Sequence, residues 1–160
     1  MRKIHKILIH LKTKTEYLVK DLKEDFHTQY GVIKAKELNS KKRIIESNKN
    51  DKFILINPSF PDLWKNLTRG PQVMLQKDIG LIIAKTGINK DSKIVDAGGG
   101  SGSLSFSLAN ICKEITVYEV NPEHYKILSK NVKLFGLENL KLKQDSVYDG
   151  IKEKKLDLIR

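Results

Sequence analysis

The sequence predicts an α/β fold, a parallel sheet with covering helices, preceded by a small all-β unit. Two observations carry the prediction. From residue 93, apolar strand-like runs alternate with helical runs in a βαβαβ order, which argues for parallel strands joined through crossover helices. The stretch "VDAGGGSGSLS", residues 95–105, then sets a glycine- and serine-rich loop directly after the first of these strands. In an open parallel sheet that loop lies where ligands bind.

The elements follow in order. Residues 4–57 carry short β-type runs, "IHKILIHL", "TEYLV", "GVIKA", "RIIES" and "KFILINP", separated by charged or Gly/Asn-containing turns. This predicts a small β domain over 1–57. A helical connector follows over 58–92: "PSFPDLWKNL" has prolines near its start, and "PQVMLQKDIGLIIAKTG" places Val73, Met74, Ile79, Ile82 and Ile83 on one stripe closed by Gly87. Over 93–160 the order is "KIVDA", "SLSFSLANIC", "EITVYEV", "PEHYKILSKNVKLFG" and "LKLKQD", with "KKLDLI" beginning a fourth strand.

Composition bounds the function. The 160 residues hold 30 Lys+Arg against 19 Asp+Glu, a net charge of +11, which favours polyanionic partners. Residues 1–57 carry 14 basic and 7 acidic residues, so the excess leans toward the N-terminal third. A single cysteine, Cys112, excludes an internal disulfide and reads as core. His5, His10, His27 and His124 are far apart and show no HxxxH or HExxH spacing, so no metal site is expected. No run reaches the roughly 18 apolar residues of a membrane span. The N-terminus "MRKIHKILIHLK" is too interrupted by charge for a signal peptide. A cytoplasmic protein without membrane contact is expected.

The glycines have a physical purpose. Gly98, Gly99, Gly100 and Gly102 lack a Cβ and tolerate positive φ, so a cofactor can lie against the main chain. "GGGSG" differs from the G-x-G-x-x-G of dinucleotide folds and lacks the GK[ST] of a phosphate loop, and taken alone it also reads as a flexible turn. Glu119 closes the second strand about 20 residues on, where a carboxylate can accept from both hydroxyls of a ribose. Asp145 closes the third strand, where an adenine amino group would sit. Asp96 lies inside an apolar strand, a costly place for a carboxylate unless it is hydrogen-bonded. It is read as holding the glycine loop or contacting the charged end of a cofactor.

These residues resemble the class I S-adenosylmethionine-dependent methyltransferases, and the expected fold is Rossmann-like. The stretches "FHTQYGVI" (26–33), "INPSFPDLWKNLTRGPQVMLQKDIGLII" (56–83) and "GGGSGSLSFSLA" are more specific. Together they resemble the tRNA (adenine-N1)-methyltransferases that modify positions 57 and 58 of the T-loop, and the similarity runs over nearly the whole chain. The resemblance implies S-adenosyl-L-methionine as cofactor, tRNA as partner and a homo-oligomer, a tetramer in that family. It implies cofactor contacts at Met74, Ser101, Gly102, Ser103, Leu104, Glu119, His124, Asp145 and Ser146, beside the contacts at Asp96, Gly98 and Gly100 expected from the strand and loop themselves. Met74 reads equally as core, and His124 equally as a helix-surface histidine. The implied chemistry is in-line methyl transfer to N1 of a flipped-out adenine. Arg2, Lys3, Lys41, Lys42 and Arg43 are candidates for holding the RNA backbone.

The sequence departs from that family's pattern in three places. Gly99 stands where threonine is common, and "LQKD" replaces the usual "YPKD". The family's catalytic aspartate lies in an "LDxPxPW"-type segment shortly beyond the position of Asp157, so the catalytic residue is expected beyond Arg160. The methyltransferase domain is therefore expected to be C-terminally incomplete, and a fragment of this length to bind cofactor without methylating tRNA. Two other readings stand beside this one: a noncatalytic cofactor- or RNA-binding partner subunit, and a methyltransferase of the same fold acting on a small molecule or protein.

Overall fold

The computed structural model describes residues 3–70 and 73–159. The chain divides into two compact units, one ending at Leu63 and one beginning at Trp64.

In the first unit, β1 (Lys6–His10), β2 (Glu16–Val19), β5 (Ile44–Glu46) and β6 (Lys52–Ile56) form an antiparallel sheet in the order β2-β1-β6-β5. β3 (Phe26–Thr28) and β4 (Gly31–Ile33) form a separate hairpin. Alternation decides which side chains go inward: Leu8, Val19, Ile45, Phe53 and Leu55 are buried in one cluster with Ile33 and Leu38. Two elements differ from the sequence expectation. "FHT" pairs as a strand, and "KAKEL" leaves the strand at Lys34 to form a one-turn helix, α1 (Ala35–Leu38), so the unit is not wholly β. The carboxylate of Asp25 accepts from the N–H of Ala35, 2.9 Å, and from Lys34, 2.8 Å, which gives this short helix an anchor its own N-cap lacks.

In the first unit His10 is buried and stacks on Tyr30, ring centroids 3.8 Å apart, with its Nε2 3.1 Å from Asp51. The hairpin turn is tied by the side chain of Thr28, whose Oγ1 accepts from Tyr30 N–H and donates to the Gly31 carbonyl. Gly31 has φ +108, and a Cβ there would meet Asn48 Oδ1 at 2.6 Å. Only glycine fits.

α2 (Phe60–Lys65) spans the division between the units, and α3 (Gln76–Thr86) ends at Gly87 in the left-handed conformation, φ 66. The predicted stripe is cut short at its start. Leu75 is extended, so Val73 and Met74 precede the helix rather than joining its apolar face.

The second unit holds β7 (Lys93–Ala97), α4 (Ser103–Ala109), β8 (Glu114–Tyr118), α5 (Pro122–Phe135), β9 (Leu140–Lys143) and β10 (Leu158–Ile159). Its sheet is parallel, in the order β10-β7-β8-β9. Ile94, Val95, Ile115 and Val117 are buried, as strands covered on both faces require. Every residue of α4 is buried, and Phe106 stacks on Phe135 of α5 at 4.5 Å. Asn121 caps α5 by accepting from Glu123 and His124 N–H, and Gly136 closes it. Cys112 is buried, which raises its thiol pKa and suits the core position read from sequence. Asp157 belongs to the framework: its carboxylate accepts from Lys93 N–H at 2.8 Å and its N–H donates back to the Lys93 carbonyl, fixing the start of β10 beside β7.

Among the described residues, no group of three or more His, Cys, Asp or Glu side chains is placed to hold a metal ion. Among them, too, no helix is long and apolar enough to cross a membrane.

Candidate functional site

Chain order reverses at β7, whose neighbours are β8 on one side and β10 on the other. Ligands of open α/β sheets bind at the carboxyl end of the strand at such a point. The chain there runs through Gly98 to Gly102 into α4. The N–H groups of Gly98 and Gly99 both donate to the Tyr118 carbonyl, 2.8 and 3.1 Å, and Gly102 N–H donates to the Gly99 carbonyl, 2.8 Å. The loop is thus fastened to the end of β8.

The glycines do two different jobs. A Cβ on Gly99 would lie 2.4 Å from Val117 Cγ1 and 2.7 Å from Leu128 Cδ2; on Gly102 it would lie 2.2 Å from the Phe106 ring. These two let the loop sink onto the core. At Gly98 (φ +92) and Gly100 (φ +55) a Cβ would meet nothing within 4 Å. These two leave bare backbone facing open space, a cradle that side chains would fill.

Two clefts meet at Gly98. The first, of about 150 Å³, is lined by Met74, Asp96, Gly98, Gly99, Gly100, Ser103 and Leu104. Met74 N–H donates to Ser103 Oγ, 3.0 Å, which draws the segment before α3 onto the start of α4. Asp96 is buried and accepts from Ser105 Oγ at 2.5 Å. The second cleft, of about 290 Å³, is lined by Ala97, Gly98, Tyr118, Val120, Asp145, Ser146, Val147 and Tyr148. Asp145 lies two residues past the end of β9 rather than closing it, and its Oδ1 accepts from Ser146 N–H, 2.9 Å. Ser146 Oγ in turn accepts from Tyr148 N–H at 3.1 Å and caps a 3-10 turn, Val147–Asp149.

Glu119 is buried just past β8, and both of its oxygens are engaged. Oε2 accepts from Gly100 N–H and Oε1 from Asn121 N–H, each at 2.8 Å. A carboxylate has about four lone-pair sites, so two remain for a ligand. His124 Nδ1 lies 4.0 Å from Glu119 Oε2, on a side chain one-third exposed. Ser101 and Gly102 line neither cleft; the Ser101 carbonyl accepts from Asn131 Nδ2, 2.8 Å.

Sequence reading did not single out Asn131, Val120 or Tyr148. Asn131 is fully buried and also accepts from Thr68 N–H and donates to the Thr68 carbonyl, so one amide joins the segment after α2 to the glycine loop. Its signal was available: it shares the buried face of α5 with Leu128, Leu134 and Phe135, where a polar residue needs partners. Val120 and Tyr148 are 61% and 97% exposed, unusual for apolar and aromatic side chains beside a cleft. Next to them, Tyr118 Oη donates to Glu153 Oε2, 2.7 Å, and Lys143 Nζ bonds both. Burial would raise the Glu153 carboxyl, but the bonds from Lys143 and Tyr118 outweigh it and hold it down at about 2.

An elongated ligand suits this arrangement. One end can reach Asp96 and Ser103, the middle crosses bare backbone at Gly98 beside Glu119, and a flat ring can occupy the apolar second cleft between Val120 and Tyr148. The fold is the Rossmann-like fold of the class I S-adenosylmethionine-dependent methyltransferases. Residues 74–154 match the family of ribosomal RNA adenine dimethylases, and the chain belongs to that family. Over more of its length it is 33% identical across 135 residues to the tRNA (adenine(57)-N(1)/adenine(58)-N(1))-methyltransferase TrmI of Methanocaldococcus jannaschii, covering 82% of this chain and 47% of that protein. It is 28% identical across 145 residues to the tRNA (adenine(58)-N(1))-methyltransferase catalytic subunit TRM61 of Candida glabrata, covering 84% and 38%. The chain thus spans less than half the length of either relative. Among solved structures, a SAM-dependent O-methyltransferase of Thermotoga maritima is similar with a TM-score of 0.76 and 26% identity, over 99% of this chain and 62% of that one. The tRNA (m1A58) methyltransferase TrmI of Aquifex aeolicus has the same fold, with a TM-score of 0.65 and 24% identity over 94% and 61%.

Proposed function

We propose that the protein transfers the methyl group of S-adenosyl-L-methionine to N1 of adenine at position 57 or 58 in the T-loop of tRNA. What carries this reading is the 33% identity to a tRNA methyltransferase of that specificity over 82% of the chain, a stretch long enough to reach into both units. The cofactor supplies an electrophilic methyl on a sulfonium. The protein's part is to bind and orient. Gly98 and Gly100 give the cofactor a bare backbone surface, and Glu119 offers its remaining lone pairs to the ribose. Asp145, Ser146, Val120 and Tyr148 enclose the adenine end. Met74, Asp96, Ser103 and Leu104 take the amino-acid end, and His124 sits within reach of Glu119. Ser101 and Gly102 act by holding the loop's shape. Residues 1–57 form the unit that contacts RNA, 58–92 connect, and residues from 93 on bind cofactor. The setting is cytoplasmic. The active form is an assembly, a tetramer of this chain or a complex with a partner subunit, and the name "catalytic subunit" carried by several relatives supports this.

The test is incubation of the protein from its native source with isotopically labelled cofactor and tRNA transcripts bearing adenine or guanine at positions 57 and 58. Label should enter only transcripts with adenine at a target position, and reverse transcription should stop there, because a methyl on N1 blocks base pairing. Cofactor binding without transfer by the 160 residues alone is the expectation for a fragment; the same result with the protein from its native source would favour the noncatalytic partner reading. Transfer to a small hydroxylated compound instead of tRNA would favour the activity named for the Thermotoga maritima neighbour.

A further inference from the structure

The N-terminal unit contains a second cleft system unrelated to the glycine loop. A polar, open cleft of about 390 Å³ is lined by Lys6 of β1, by Asn39, Ser40, Lys41, Lys42 and Arg43 between α1 and β5, and by Leu55 and Asn57 at the end of β6. Four cations line it and no carboxylate does.

Most of the polar side chains in its walls already hold partners within the unit. Asn39 Nδ2 donates to the carbonyls of Leu22 and Ala35, Ser40 Oγ donates to the Glu37 carbonyl, and Lys6 Nζ donates to Asn57 Oδ1 at 2.7 Å. Lys42 is 3.5 Å from Glu37. Lys41 and Arg43 are exposed, and among the described residues their side chains make no hydrogen bond or ion pair. Elsewhere in the unit Lys12, Lys34 and Lys52 each lie within 4 Å of a carboxylate. The cleft therefore presents free positive charge on a frame whose Asn39 and Ser40 donors are already taken. That is the chemistry of phosphate contact, which positions a nucleic acid without reading its sequence. The planar guanidinium of Arg43 can take two oxygens of one phosphate.

We infer that this cleft is the docking site for the phosphodiester backbone of the RNA substrate, with Lys41 and Arg43 as its principal contacts. The inference rests on the reading of the protein as an RNA methyltransferase and deepens it by locating the backbone contact. The competing role for these cations is local: β5 is the edge strand of its sheet, and lysines on an edge discourage pairing with another chain.

The experiment compares the protein with the double variant Lys41→Gln/Arg43→Gln and with a control, Lys14→Gln/Lys49→Gln, which removes the same charge from exposed turns of the same unit away from the cleft. Binding to a tRNA transcript is measured over roughly 50 to 300 mM salt, since each lost phosphate contact lowers the slope of log affinity against log salt by about one. The cleft variant should bind tRNA more weakly, with a slope shallower by about two, and keep its affinity for S-adenosylhomocysteine and its melting temperature. The control should keep the slope to within a few tenths. Equal slopes for the protein and its cleft variant, or equal losses in cleft and control variants, would overturn the inference while leaving the functional reading in place. No tRNA binding by the unaltered protein, with S-adenosylhomocysteine still bound, would overturn the functional reading and the inference with it.

Discussion

Substituting the loop glycines one at a time should separate folding from cofactor binding. In Gly99→Ala the new methyl would lie 2.4 Å from Val117 Cγ1 and 2.7 Å from Leu128 Cδ2, and both neighbours are fully buried with nowhere to move. Overpacking of this kind costs about 1–3 kcal/mol. In a unit of roughly 100 residues each kcal/mol lowers the melting temperature by about 4–8 °C. In Gly98→Ala the methyl meets nothing within 4 Å, but φ of +92 strains an alanine by about 1–3 kcal/mol. The stability losses overlap, so stability alone cannot distinguish the two. Affinity for S-adenosylhomocysteine can, because the Gly98 methyl enters the space where the two clefts meet. Gly98→Ala should bind at least about tenfold more weakly, a loss of about 1.4 kcal/mol. Gly99→Ala, measured well below its melting temperature, should bind within a few-fold of the unaltered protein. Gly87→Ala supplies the control for backbone strain: it has φ +66 and an equally open surround, but lies at the end of α3. It should lose stability and no affinity. Calorimetric titration with matched thermal melts reads all three, and unaltered affinity in Gly98→Ala would refute the assignment of the cradle.

Three further outcomes follow from the hydrogen bonds. In Glu119→Gln one of two N–H groups, Gly100 or Asn121, must face an amide donor instead of an oxygen; loss of a charge-assisted bond costs about 1.5–3 kcal/mol, so both melting temperature and S-adenosylhomocysteine affinity should fall. Asn131→Ala leaves Thr68 N–H and two carbonyls without their partner and should destabilise by at least about 2 kcal/mol in denaturant unfolding, with Asn131→Asp at least as damaging because its buried carboxylate would face the Thr68 and Ser101 carbonyls. The Glu153 carboxyl, at about 2 when folded, lies below its ordinary value, so its stabilisation is complete above about pH 4.5 and is lost as pH falls toward 2. Acid unfolding of Glu153→Gln should therefore be flatter across that window, and an unchanged acid profile would discount the contacts with Lys143 and Tyr118.

The parallel sheet was legible because its central strands are nearly continuous apolar runs and its helices are closed by Gly87 and Gly136, signals that depend on local chemistry. What escaped depended on distant partners. "KAKEL" becomes a helix with its first free N–H held by Asp25, ten residues earlier in the chain. Met74 falls outside α3 because its N–H is taken by Ser103. The four loop glycines share one letter, but whether each faces core or open space is set by Val117, Leu128 and Phe106. Of the proposed backbone contacts, Arg2 lies outside the described residues, as do Pro71 and Gln72 of "RGPQ".

The "FHTQYG" stretch shows how a family-specific sequence can be specific for structural reasons. Phe26 packs against the core cluster, Thr28 ties the turn, Tyr30 stacks on His10, and Gly31 fits where any side chain would strike Ser47 and Asn48. Only His27 and Gln29 face solvent. Nearly every letter is thus accounted for by the hairpin itself, and two exposed side chains are a poor anchor for a polyanion. The cleft proposed to hold RNA is instead lined by residues that no motif marks, Lys41 and Arg43, and their candidacy comes from the concave frame around them and the absence of carboxylates among its lining residues. A hairpin variant such as Thr28→Val should accordingly unfold more easily and keep its salt slope for tRNA, the reverse of the cleft variant.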